Sequence, residues 1–196
     1  MTRSILWALP LLCLVAAGAA RADRYGYYAP PRPYGDVPQL FGGVQLDLTQ
    51  PFGDGIVDHQ PLYAGHGLAL TGHIEWGHFY AGAELGTATF ANDTANDSSP
   101  SLFAAARLGA ILTRGEFAPY VAVGPIAMSY GAVGDDAAGG WGISTEAGLL
   151  MFRTQKMFRA TLVAQLNVPV ESSYTGKGWQ SYTSLPWGAL ALRLEL

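Results

Sequence analysis

From residue 41 to residue 196 the chain alternates apolar and polar side chains with a period of two, in about eight stretches. In residues 41–50, Val44, Leu46 and Leu48 share one face, and Gln45, Asp47 and Thr49 the other. Residues 66–77 set Leu68, Leu70, Ile74 and Trp76 against Thr71, His73 and Glu75, and residues 79–90 set Phe79, Ala81, Ala83 and Leu85 against Gly82, Glu84 and Gly86. The pattern continues in residues 101–112 (Leu102, Ala104, Ala106, Leu108 and Leu112 against Arg107 and Gly109) and 142–152 (Ile143, Ala147, Leu149 and Met151 against Ser144 and Glu146). Residues 158–168 place Leu162, Ala164, Leu166 and Val168 opposite Arg159, Thr161, Gln165 and Asn167. The last stretch, 182–196, ends with Leu190, Leu192, Leu194 and Leu196 opposite Arg193 and Glu195. Such alternation predicts strands, each with one apolar and one polar face. Residues 118–130 are apolar on both faces and contain Pro125, which has no N–H to give a ladder, so a bulge is expected there.

The connections alternate in length. Long ones, rich in Asp, Asn, Gly and Ser, cover residues 51–65, 91–100, 131–141 and 169–181, and short ones fall near 77–78, 113–117 and 153–157. An up-and-down barrel crossing an outer membrane produces this rhythm, because its periplasmic turns are tight and its outer loops are free to grow. The expected fold is therefore all-β, an eight-stranded antiparallel up-and-down transmembrane barrel over residues 41–196, with both termini periplasmic.

Charges share a face in every clear stretch, which puts them inside and the aliphatic face on lipid; a soluble lipocalin-like barrel would reverse this. Aromatic residues sort by strand end. Phe41, Trp76, Phe79, Tyr80, Phe117, Tyr120, Phe152 and Phe158 lie at the short-turn ends, and Phe52, Tyr63, Phe90, Phe103, Tyr130, Trp141, Trp179 and Tyr182 at the long-loop ends. Two girdles flanking an aliphatic band are expected at the two interfaces.

The N-terminus reads as a secretory leader over residues 1–22, with Arg3, an apolar run over 5–17 and the small-x-small site Ala20-Arg21-Ala22. The single cysteine, Cys13, lies in that run, so neither disulfides nor thiolate metal sites are expected after cleavage. Without Arg3 and Arg21, nine basic residues face 15 acidic ones, a net charge near −6. That balance argues against nucleic acid as a partner. Residues 23–40, rich in Tyr and Pro, are expected to form a periplasmic tail.

These features together resemble the small eight-stranded outer-membrane barrels of the OmpA/OmpX-like superfamily. The resemblance covers residues 41–196 and rests on topology, girdles and the alternating C-terminal strand, which ends here on Leu196 where such families usually end on an aromatic residue. It covers the barrel only; no periplasmic C-terminal domain of the OmpA kind is expected. It implies the outer membrane of a Gram-negative cell, contact with membrane lipid and lipopolysaccharide, folding by the barrel-assembly machinery, and a monomer.

An eight-stranded barrel is just wide enough to be filled by its own side chains. The inward set Asp47, His73, Glu75, Glu84, Arg107, Glu146, Arg159, Arg193 and Glu195 carries both signs. Glu84 is expected near Arg107, and Glu75 near Arg159, in a polar network filling the lumen. The expected role is structural or surface-interacting, through the long loops. A narrow channel and a lipid-modifying enzyme are the alternatives. Candidates for the enzyme are Asp58, His59, His66, Ser98, Ser99 and Ser129, but no nucleophile and base share a strand face at the required spacing. The oxygen-rich runs 92–97 and 134–136 lack the ligand order of an EF-hand. No catalytic residue, metal or cofactor is expected.

Overall fold

The computed structural model describes residues 38–52, 56–57, 60–92, 98–130, 137–153, 159–175 and 186–196. The expected leader and nearly all of the expected tail lie outside them. Among the described residues nine strands are present: β1 (Gln39–Pro51), β2 (Ile56–Val57), β3 (Gln60–Trp76), β4 (Phe79–Asn92), β5 (Ser98–Ile111), β6 (Ala118–Tyr130), β7 (Ala137–Met151), β8 (Arg159–Thr175) and β9 (Trp187–Glu195). Every long strand pairs antiparallel with its neighbours, and β1 pairs with both β3 and β9. The result is a closed, eight-stranded, up-and-down barrel, with the two-residue β2 lying against the start of β3.

Burial alternates as the sequence pattern requires. In β9 the inward positions, including Arg193 and Glu195, are buried while Leu190, Leu192 and Leu194 are exposed. Outside, Leu48 (71%), Leu70 (65%), Leu102 (60%) and their neighbours form a continuous exposed apolar band. In water a patch of this extent would be a liability; against lipid it is the required solvent-facing surface.

Several strands outrun their expected ends. β3 starts at Gln60, β5 at Ser98 and β7 at Ala137, while β8 runs to Thr175, so the strand pairs β3–β4 and β7–β8 extend beyond the alternating segments. The extensions contain runs such as Ala137-Ala138-Gly139-Gly140, where backbone pairing proceeds without apolar alternation to announce it. Register shifts at Tyr63/Gly65 and Trp141/Gly142 mark where two of these extensions begin. β1 begins at Gln39, inside the expected tail, and β9 begins at Trp187, later than residue 182.

The expected bulge at Pro125 is not formed. The β5–β6 register is the same on both sides of it, Ala105 facing Ile126 and Leu108 facing Val123. Only the two rungs between drop out, which is the gap a residue without an N–H leaves. On the other side, Pro125 faces Ile143 within an unbroken β6–β7 ladder.

Candidate functional site in the barrel interior

Every residue of the expected inward set is buried: Asp47, His73, Glu75, Glu84, Arg107, Glu146, Arg159, Arg193 and Glu195. They form two linked groups. In the middle of the barrel, Glu146 on β7 accepts Arg193 Nη2 on both carboxylate oxygens (3.1 Å each) and pairs with Arg107 Nη1 (2.9 Å). The Tyr120 hydroxyl on β6 also donates to it. Arg107 reaches from β5 to Glu84 Oε2 on β4 (2.5 Å) and, through Nε, to Ser144 Oγ (2.9 Å). Gln165 Nε2 on β8 bridges Glu84 (2.8 Å) and Glu146 (3.3 Å).

Gln45 joins the network from β1. Its Nε2 donates to Asp47 Oδ1 (2.7 Å) and Glu84 Oε1 (2.9 Å), while its Oε1 accepts Arg193 Nε (2.9 Å). Arg193 Nη1 also donates to the Tyr80 hydroxyl (2.9 Å) on β4. Side chains from seven of the eight barrel strands therefore lie within two polar contacts of Glu146. A buried carboxylate is tolerated only with this kind of pairing.

Nearer the short turns, Glu75 Oε2 accepts Arg153 Nε (3.1 Å) and Nη2 (2.7 Å), and its Oε1 pairs with Arg159 Nη1 (3.2 Å). His73 lies between Glu75 (Nε2, 3.1 Å) and Glu195 (Nδ1, 3.0 Å). An imidazole facing carboxylates from both nitrogens satisfies both only with a proton on each. Phe41 covers this group, with its ring 3.6 Å from the Arg159 guanidinium carbon and 5.1 Å from the His73 ring.

Toward the long-loop end the interior becomes dry. Phe90, Phe103, Ile126, Met128 and Trp187 form one buried cluster with alanines of four strands. Trp187 meets Phe103 at 5.5 Å and Phe90 at 6.0 Å, both edge to face. Large rings fit because facing positions are small: a Cβ on Gly86 would lie 2.8 Å from the Phe103 ring, so this glycine is a space requirement.

The girdles therefore need correction. Trp76, Phe79, Phe117 and Phe152 are exposed at the short-turn end, and Tyr63 and Trp141 at the other. Tyr80, Tyr120, Phe90 and Phe103 are buried inside, and Phe41 faces inward. The cause is parity. Tyr80 follows Phe79 in one strand, so both cannot face lipid, and Phe103 shares the parity of Arg107. The side chains of Tyr130, Phe158, Trp179 and Tyr182 lie outside the described residues.

The sequence pattern places Gln45, Gln165 and Asn167 inward without assigning them a role, and it does not single out Arg153 or Trp187. Arg153 follows Phe152, whose φ of 60° lies in the left-handed region and ends the strand alternation. No periodic signal could assign it. Trp187 was legible by parity with Arg193.

No catalytic set is assembled among the described residues. His66 is exposed on β3, and Thr89 on the neighbouring β4 donates to its carbonyl oxygen (2.9 Å). Ser129 is exposed on β6, which does not pair with β3. Asp58, His59 and most of the oxygen-rich loop runs lie outside the described residues, as do the side chains of Ser98 and Ser99. Among the described residues no group of three His, Cys, Asp or Glu could hold a metal.

No family model matches the chain, and no curated protein matches it in sequence. Solved structures do share the fold. The crystal structure of Neisserial surface protein A (NspA) superposes with a TM-score of 0.53 at 10% identity, over 82% of this chain and 99% of that one. Ail, the attachment invasion locus protein of Yersinia pestis, in complex with the heparin analogue sucrose octasulfate, gives 0.50 at 10% identity, over 81% and 95%. At such identity the likeness is one of fold: that of the small eight-stranded outer-membrane barrels.

Proposed function

We propose that this protein is an outer-membrane surface barrel whose lumen is plugged, and that it acts structurally or by contact through its long loops rather than as a channel or an enzyme. The observation that carries the reading is the convergence of seven strands on the buried Glu146 cluster, with the Trp187–Phe90–Phe103 layer above it. An ion crossing this interior would have to break charge-assisted hydrogen bonds and then pass a dry aromatic layer. The exposed leucine band supports membrane insertion, and the tight turns support a periplasmic position for both termini. Membrane lipid is then the constant partner. The resemblance implies assembly by the barrel-assembly machinery and a monomeric state.

The loops narrow the surface role. The four long connections contain Asp54, Asp58, Asp93, Asp97, Asp135, Asp136 and Glu171 against the single Lys177. Ail is described with a sulfated sugar; an acidic rim of this composition repels such a polyanion. The surface partner we propose is cationic, or is an anion bridged by divalent cations.

Cell fractionation with a heat-modifiable gel shift tests placement. The folded chain should migrate with the outer membrane and shift on boiling; a chain soluble without detergent refutes the reading. In planar bilayers it should give no discrete conductance steps, and steady single-channel openings would overturn the plugged lumen. Overexpression should leave lipid A mass spectra unchanged.

A further inference from the structure

Among the described residues Arg114 is the one exposed Lys or Arg side chain; Arg107, Arg153, Arg159 and Arg193 are all buried in the barrel. It sits in the β5–β6 turn and is held in place. His78, in the β3–β4 turn, is 2.6 Å through Nδ1 from the Ile111 carbonyl oxygen, an acceptor, so Nδ1 carries the proton. That leaves Nε2 to accept Arg114 Nε at 3.2 Å. Both terminal nitrogens, Nη1 and Nη2, then have no protein partner among the described residues. A surface arginine is ordinarily mobile; this one is braced across two turns with its donor fork left open.

Its surroundings identify the ligand. Trp76 and Phe79 flank the β3–β4 turn, and Phe117 and Phe152, with rings 6.1 Å apart, flank the next two turns around the rim. All four are exposed and stand at the level where amphipathic rings meet headgroups. The guanidinium thus interrupts an aromatic girdle at headgroup height. A planar fork of free N–H donors at that position matches two oxygens of a phosphate.

We infer that Arg114, braced by His78, is a docking site for the phosphodiester headgroup of a phospholipid in the leaflet entered by the short turns. The inference rests on the membrane reading above and specifies which lipid chemistry the barrel recognises and where.

Native mass spectrometry of the folded full chain, released from non-ionic micelles doped with phosphatidylglycerol or with diacylglycerol, tests it. The wild type should retain one phosphatidylglycerol and no diacylglycerol. Arg114→Gln should lower occupancy about tenfold, and Arg114→Lys less, because it keeps charge but not the fork. His78→Ala should also lower it, although it leaves Arg114 charged; simple electrostatic attraction would not respond to that change. Equal occupancy in wild type and Arg114→Gln overturns the site, and so does displacement of the lipid by equimolar inorganic phosphate, which would mark a general anion site. The gel shift, run on each variant, separates the outcomes. A wild type that does not fold into micelles fails the membrane reading instead, whereas a folded variant with unchanged retention fails only this inference.

Discussion

The two ends of the barrel interior solve the same packing problem differently. Toward the short turns and through the middle, five carboxylates and four guanidiniums are buried together with His73, beside an apolar cluster that includes Ile111, Tyr120 and Leu150. Toward the long loops, Phe90, Phe103, Met128 and Trp187 fill the space without a charge. The difference lies in what each layer does when damaged. Apolar side chains lose stability in proportion to the volume removed. A buried ion network adds little net stability over apolar filling but becomes very unfavourable when one member leaves. The dry end should degrade gradually, and the charged end all at once.

Removing Glu146 should have the largest effect. Glu146→Ala strands Arg107 and Arg193 in the interior, and about 3–5 kcal/mol of stability should be lost in urea unfolding from lipid vesicles. Phe103→Ala, at the dry end, should lose about 3 kcal/mol. If it proves the costlier of the two, the contrast between the layers fails. A double-mutant cycle with Glu84→Gln and Arg107→Met should show a coupling of about 1–3 kcal/mol, while Glu84→Gln paired with Phe103→Ala should be closer to additive. Equal coupling in both pairs would mean the two layers act as one. Pro125→Ala should have the smallest effect, a gain of about 1 kcal/mol as a backbone hydrogen bond returns to the β5–β6 gap; a loss would show that the gap is required.

The wall of the barrel was legible almost entirely, because period-two alternation leaves each strand only two ways to face and the charges chose between them. Even β6, apolar on both sides, took its place between neighbours that were clear. The layering of the interior was less legible. Sorting aromatics by strand end ignored parity, which alone would have put Phe90 with Glu84 and Phe103 with Arg107. Arg153 was beyond reach by any periodic argument, since a single left-handed residue, Phe152, decides where it points. Strand ends were obscured for another reason: backbone pairing above the membrane needs no apolar residues, so runs of Ala, Gly and Ser extend strands without a trace in the pattern.

One contact described above sets a condition on how the molecule can form. Gln45 and Arg193 are hydrogen-bonded across the β1–β9 seam although 148 residues separate them in the chain. Arg193 cannot meet Gln45 and Glu146 together until the last strand meets the first, so the central charges must stay hydrated until the ring closes. Closure and dehydration of the interior are then a single late event, and contacts of such long sequence separation make it a slow one. A chain halted before that step would be an open sheet with wet charges along its inner face and an unpaired edge on either side.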